Sequence, residues 1–253
     1  MRTSNTGSLP SNNRVSLDQH FLVDHTVAEL MGKYASISKD DTILEVGSGQ
    51  GALTKLLAES AGLVHSVEKD RRLIEKFKEA VVYDNVRVIE GDILKVALPD
   101  FTKVVSSPPY SISTPLLFML FDHRFSLGVF LFQSDFADRL TATPGSSRYG
   151  RLAATAQYFF CIKLLDTVPP EAFSPPPEVM SRIVRLYPQK QFQALNERFY
   201  IDLVRKLFSQ RRKMIKNSLK SHAIENIPKD ILRKRPQELS LNEMVMLSNC
   251  LCP

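Results

Sequence analysis

Cysteine is scarce in this sequence: three residues in 253, Cys161, Cys250 and Cys252. Three thiols cannot build a disulfide framework, and the histidines at 20, 25, 65, 123 and 222 show no ligand spacing beside them, so no metal centre is expected. Long hydrophobic runs are also missing. The longest, Leu116 to Phe121 and Val129 to Phe132, fall far short of the roughly 20 apolar residues that cross a bilayer. Met1 to Asn13 is rich in Ser, Asn and Thr and lacks the apolar stretch of a secretory leader. Residues 1–15 are therefore expected to be a disordered tail, and the chain is expected to stay in the cytoplasm. No internal repeat, low-complexity tract or long heptad is found, which points to a monomer.

Charge is present but unevenly placed. Residues 1–188 carry 20 Lys and Arg against 21 Asp and Glu, whereas residues 189–253 carry 13 against 6, within an overall formal charge of +6. A near-neutral body with a cationic tail section fits a partner that is a polyanion, because phosphate neutralisation is the main sequence-independent source of nucleic-acid affinity. A solvated helical face would produce the same count.

Short apolar segments alternate with helical spacing. Thr42 to Val46, Leu63 to Glu68, Val86 to Glu90, Lys103 to Ser106 and Leu127 to Gln133 read as strands. Leu53, Leu56 and Leu57, then Leu73, Phe77 and Ala80, recur at the three-and-four interval of a helix. This rhythm predicts an α/β fold with a doubly wound, Rossmann-like parallel sheet over residues 16–188. Ile162 to Val168 and Met180 to Tyr187 are predicted to close the sheet as a hairpin. The prolines at 169, 170 and 175 to 177 must lie in a loop. After Pro188, helices are expected around Phe199 to Phe208, Met214 to Leu219 and Met244 to Leu247, giving a small C-terminal helical domain over residues 189–253.

The end of the first long strand carries Glu45-Val46-Gly47-Ser48-Gly49-Gln50-Gly51-Ala52. Glycines at a strand-to-helix turn let the backbone approach a ligand closely. Gly47, Gly49 and Ala52 fit a dinucleotide fingerprint, while Glu45, Gly47, Gly49 and Gly51 fit the S-adenosylmethionine form, in which the acid anchors the loop and the cofactor's methionine end. Two further acids favour the second. Glu68 closes the next strand, where a carboxylate can accept hydrogen bonds from both ribose hydroxyls, and Asp92 follows the strand after, where one can accept from an adenine amine.

The fourth strand runs into Ser107-Pro108-Pro109-Tyr110, the most specific string in the chain. An exocyclic amine of a base is a poor nucleophile because its lone pair is delocalised into the ring, so acceptors must draw it toward a pyramidal geometry. The Ser107 side-chain oxygen and the Pro108 carbonyl can accept its two hydrogens while the Tyr110 ring stacks on the base. No strong general base is needed, since the product ammonium is acidic enough to lose its proton.

These residues resemble the KsgA-type small-subunit rRNA adenine dimethyltransferases, relatives of the Erm enzymes. The likeness runs from about residue 16 to 220. Besides the strings above it includes Asp18-Gln19-His20-Phe21-Leu22, Arg139-Leu140, Pro144-Gly145-Ser146, Tyr149-Gly150-Arg151-Leu152 and Gln157-Tyr158. It continues through Phe173-Ser174-Pro175-Pro176-Pro177, Val184-Arg185-Leu186 and Phe208-Ser209-Gln210-Arg211-Arg212-Lys213. The resemblance implies S-adenosylmethionine as donor and small-subunit rRNA or a ribosomal particle as partner. It implies His20, Leu22, Gly47, Glu68, Asp92 and Ser107 around the cofactor and target amine, and Arg211, Arg212, Lys213 and Lys216 on rRNA phosphates. Two positions depart from the family pattern: Ser107-Pro108 stand where Asn-Leu is usual, and His20 where Asn is usual. A Ser-Pro-Pro-Tyr turn is more like that of cytosine-amine methyltransferases, which leaves adenosine and cytidine both open. A catalytically weak assembly factor and a nicotinamide-dependent dehydrogenase are the readings from other classes.

Overall fold

The computed structural model describes residues 19–80, 83–219 and 225–252. The expected tail, residues 1–15, lies outside them, as do Asp18 and His222.

A short strand β1 (Phe21–Leu22) leads into helix α1 (His25–Ala35). Asp24 starts that helix: its carboxylate accepts from the amides of Thr26 and Val27, two donors that have no partner within the helix. Alternation follows, with β2 (Thr42–Val46), α2 (Ala52–Ser60), β3 (Leu63–Glu68), α3 (Arg71–Ala80), β4 (Val86–Glu90) and β5 (Lys103–Ser106). Then come α4 (Ser113–Met119), β6 (Leu127–Gln133), α5 (Ser134–Leu140) and α6 (Arg151–Phe159). The chain continues through β7 (Phe160–Val168), β8 (Phe173–Ser174) and β9 (Ser181–Pro188) to the helices α7 (Glu197–Ser209), α8 (Ile215–Ser218), α9 (Lys229–Arg233) and α10 (Leu241–Leu251).

The main sheet has seven strands in the order β4-β3-β2-β5-β6-β9-β7. The five strands from β2 to β6 pair in parallel, and β9 runs antiparallel to both β6 and β7. The closing hairpin is thus laid down edge first: β7 takes the rim and β9 returns into the gap beside β6. Side chains alternate between two apolar clusters, as a strand requires. Ile43, Val105, Val129, Leu131 and Ile183 meet Val27 and Met31 of α1 and Leu53 and Leu57 of α2. Leu44, Val104, Phe130, Phe132 and Val184 meet Leu116 of α4, Ala137 of α5 and Ala153 of α6. Strand β6 is buried on both faces, which explains its nearly unbroken apolar sequence.

The C-terminal helices extend the second of these clusters rather than forming a separate core. Tyr200, Leu203 and Leu207 of α7 and Met244 and Leu247 of α10 belong to it, and the Tyr200 hydroxyl donates to the Ala154 carbonyl at 3.0 Å. The helix expected over Met214 to Leu219 is only one turn, Ile215–Ser218, and the amide of its first residue, which has no partner within the helix, donates to the Lys234 carbonyl. Strands β1 and β8, which pair antiparallel, were too short for periodicity to reveal. Among the described residues no helix is long and apolar enough to cross a membrane.

A buried ion pair staples the far ends of β2 and β5. Lys103 Nζ lies 2.8 Å from Asp41 Oδ2, with the two side chains 14% and 10% exposed, and the hydroxyl of Thr102 donates to Asp41 Oδ1 at 2.9 Å. Burial alone would raise the Asp41 pKa, but hydrogen bonds from Lys103, from the Ser38 amide and hydroxyl and from Thr102 outweigh it and hold the carboxyl below its ordinary value. A depressed folded value means that the stabilisation is present above the ordinary carboxylate pKa and lost as pH falls through the folded one. Asp41→Ala is expected to cost about 3 kcal/mol at neutral pH, because Lys103 is left buried without its counter-charge. The gap between variant and parent should narrow in acid, as read from denaturant melts at two pH values.

Candidate active site

The loop after β2 is built on glycines for two physical reasons. Gly47, Gly49 and Gly51 have φ of 79°, 53° and 84°, the left-handed region that side chains disfavour. Space is the second reason. A Cβ on Gly49 would stand 2.9 Å from the Phe21 ring, and one on Gly51 would stand 2.8 Å from the Phe77 ring. The loop is therefore backed by aromatic rings, and its front borders a cleft that also touches His20, Phe21, Leu22, Glu68, Ser107 and Pro109.

Three carboxylates that look alike in the sequence have different positions. Glu68, 8% exposed at the end of β3, lines the cleft and also holds its wall: Oε2 accepts from the Gly49 amide at 3.2 Å, and Oε1 from the amides of Lys69 and Asp70 at 2.8 Å each. Asp92, after β4, lies in an adjoining lobe of the cleft with Glu68, Val67, Ile93, Pro109 and Ile112. The Leu94 amide donates to its Oδ1, and this bond, with help from exposed Lys69 at 3.5 Å, outweighs burial and keeps Asp92 below the usual carboxylate range.

Glu45 is elsewhere. It is fully buried and is not part of the cleft lining, and its hydrogen bonds fasten the elements on either side of the loop. Its Oε2 accepts from the hydroxyls of Thr54 on α2 and Ser66 on β3, at 2.8 and 2.7 Å. Burial pushes its pKa up to about 7 against the pull of those two hydroxyls, and the charge of Glu68 adds to the rise.

The turn after β5 opens on the same cleft. Ser107 lines it, Pro108 is buried behind, and Tyr110 begins a 3-10 turn over Tyr110–Ile112. The Tyr110 ring is 5.9 Å from the ring of His20, tilted by 31°. His20 is steadied by Nδ1, 2.8 Å from the Pro175 carbonyl. Because a carbonyl oxygen only accepts, that nitrogen carries the proton, and in the neutral ring Nε2 is left as an acceptor. Leu22 is buried at the cleft edge, paired with Phe173 of β8.

The structure thus gathers His20, Leu22, Gly47, Gly49, Glu68, Asp92 and Ser107 around one two-lobed cleft, with Tyr110 beside it against His20 and with Gly51, Glu45 and Pro108 outside its lining. It keeps Arg211, Arg212, Lys213 and Lys216 apart from that cleft. Arg211, Arg212 and Lys213 border a separate open depression with Arg235, and Lys216 is exposed on α8. Arg211 is also tied to its neighbours: its Nε donates to Gln237 and its Nη2 to the Ser147 carbonyl, at 2.9 and 3.0 Å. Ile93 and Ile112 line the cleft without a motif of their own. Among the described residues no group of His, Cys, Asp and Glu could hold a metal ion.

A parallel sheet with one antiparallel strand inserted next to its rim, a glycine loop and acids after successive strands define a Rossmann-type S-adenosylmethionine-dependent methyltransferase. Comparison with known proteins narrows the class. A family model described as ribosomal RNA adenine dimethylase matches residues 10–245, and the chain belongs to this family. It is 37% identical over 245 residues to a protein of Methanococcoides burtonii described as "Probable ribosomal RNA small subunit methyltransferase A", with 92% of this chain and 91% of that one covered. Among solved structures it is similar to a dimethyladenosine transferase from Plasmodium falciparum, with a TM-score of 0.80, 30% identity and 90% and 96% of the two chains covered. The 23S rRNA methyltransferase ErmE shares the fold, with a TM-score of 0.67, 23% identity and 89% and 98% covered.

The Glu45 pKa makes stability depend on pH with a definite sign. Its folded value lies above its ordinary one, so its contribution to stability is complete below the ordinary glutamate range and is lost as pH rises through about 7. Glu45→Gln, which has no charge to bury, is expected to lose less stability than the parent between pH ~5 and ~8 in thermal melts.

Proposed function

We propose that this protein transfers methyl groups from S-adenosylmethionine to the exocyclic N6 of adenosine in small-subunit rRNA, twice on the same nitrogen. The observation that carries the reading is the meeting of the Ser107 turn with the glycine loop and Glu68 on one cleft. The cleft fits the donor by its own features. Gly47 and Gly49 line it with bare backbone in the left-handed region, Glu68 can accept from ribose hydroxyls, and Val67, Ile93 and Ile112 offer apolar walls for adenine beside Asp92. His20 and Leu22 border the other end. When bound, the donor supplies an electrophilic methyl group on a sulfonium.

The chain's own residues would do the rest by orientation. Ser107 Oγ and the Pro108 carbonyl accept the amine hydrogens and draw the nitrogen lone pair out of the ring, while Tyr110 backs the base. A base must leave its stack to reach them. Arg212, Lys213, Lys216 and Arg235, in what we read as a helical domain over residues 189–253, lie on rRNA phosphates, with Arg211 holding that surface in shape. The protein acts as a monomer in this reading. The Ser-Pro-Pro-Tyr turn, which departs from the Asn-Leu-Pro-Tyr usual in the family, supports cytidine N4 as a second reading.

Mass spectrometry of nucleosides from small-subunit particles incubated with protein and donor tests this directly. Dimethylated adenosine is expected, methylated cytidine would favour the second reading, and no methylated nucleoside would overturn both. Asp92→Ala and Tyr110→Ala are each expected to lower transfer by about a hundredfold. Arg212→Ala combined with Lys213→Ala should weaken particle binding and reduce the slope of log affinity against log salt by about 1.5.

A further inference from the structure

Tyr110 has an anchor that no motif announces. Its hydroxyl lies 2.5 Å from the Ser181 hydroxyl, the first residue of β9. Tyr110 lies in the turn that follows β5, and β6 stands between β5 and β9, a span of about 10 Å at ordinary strand spacing. Only an aromatic side chain with an oxygen at its far end can make this bond, so the feature distinguishes tyrosine from phenylalanine here.

Ser181 is an unusually fixed point. It is fully buried, it pairs with Gln133 of β6 on one side and Val168 of β7 on the other, and the Met180 carbonyl before it accepts from the Ser134 amide at 2.9 Å. Arg182 after it donates to Asp138 Oδ1 at 3.0 Å, and Asp138 is held in turn by Arg148 at 2.7 Å. Tyr110, by contrast, is half-buried at the start of a three-residue turn.

We infer that Ser181 is a positioning residue for methyl transfer: its hydroxyl fixes the azimuth of the Tyr110 ring so that the ring's face backs the target base. The inference rests on the reading of Tyr110 given above. The hydroxyl's bond to β9 holds the far end of the ring, which leaves the ring face as the surface offered to the base. A base held a fraction of an ångström or a few degrees off line loses rate rather than affinity.

The test is a double-mutant cycle on purified full-length protein with small-subunit particles and labelled donor. Ser181→Ala is expected to lower kcat about tenfold with the KM for donor unchanged. Its melting temperature should stay within about 4 °C of the parent, the scale of one lost hydrogen bond. Tyr110→Phe, which opens no cavity, should lose kcat to the same extent, and the double variant should fall no lower than either single one. Losses that multiply, or a Ser181→Ala variant with parental kcat beside an impaired Tyr110→Phe, would overturn the role of Ser181. A Tyr110→Ala variant with parental transfer would instead remove the reading of Tyr110, and the inference with it.

Discussion

Strand β2 has a parallel neighbour on each side, β3 and β5, and the site depends on that placement. The connection from β2 to β3 leaves toward one side of the sheet, and the chain reaches β5 only after β4 has been laid on the far rim. The loops that follow β2 and β5 therefore part above the strand ends and leave a crevice between them. One wall is the glycine loop, the other the Ser107–Tyr110 turn. The Asp41–Lys103 pair, at the opposite ends of the same two strands, keeps them in register where the crevice cannot.

The acids around that crevice show how one side-chain type serves different ends. Glu68 bonds three backbone amides and still faces the cleft, so it shapes the wall it helps to form. Glu45 faces away and joins α2 to β3 through two hydroxyls in a fully buried position. The difference is one of pleat and depth. Glu68 is the last residue of its strand, where a side chain can turn toward the loops, whereas Glu45 lies one residue inside β2 and can only point into the packed layer.

The basic section is less uniform than its composition. Arg211 spends its guanidinium on Gln237 and Ser147, and the Gly145 amide donates to the Gln237 carbonyl at 2.7 Å, so the loop after α5 is bound to the segment before α10. The same loop carries Arg148, which meets Asp138 and, through it, Arg182 beside Ser181. Polar contacts and the peptide bonds between neighbouring residues thus link the cationic surface to the strand end that anchors Tyr110.

Local sequence was enough to determine the five parallel strands, the glycine turn, the acids after successive strands and the Ser-Pro-Pro-Tyr turn, because each depends on periodicity or on backbone freedom within a few residues. It could not show that Glu45 is sealed off while Glu68 lines the cleft, nor that Arg211 is tied to Gln237 and Ser147, because such features depend on which way a side chain points and what stands opposite. Partners such as Pro175 for His20 and Ser181 for Tyr110 are 155 and 71 residues away in the chain. Only the insertion of β9 between β6 and β7 brings Ser181 within reach of Tyr110, and no local pattern encodes a contact made by two segments so far apart.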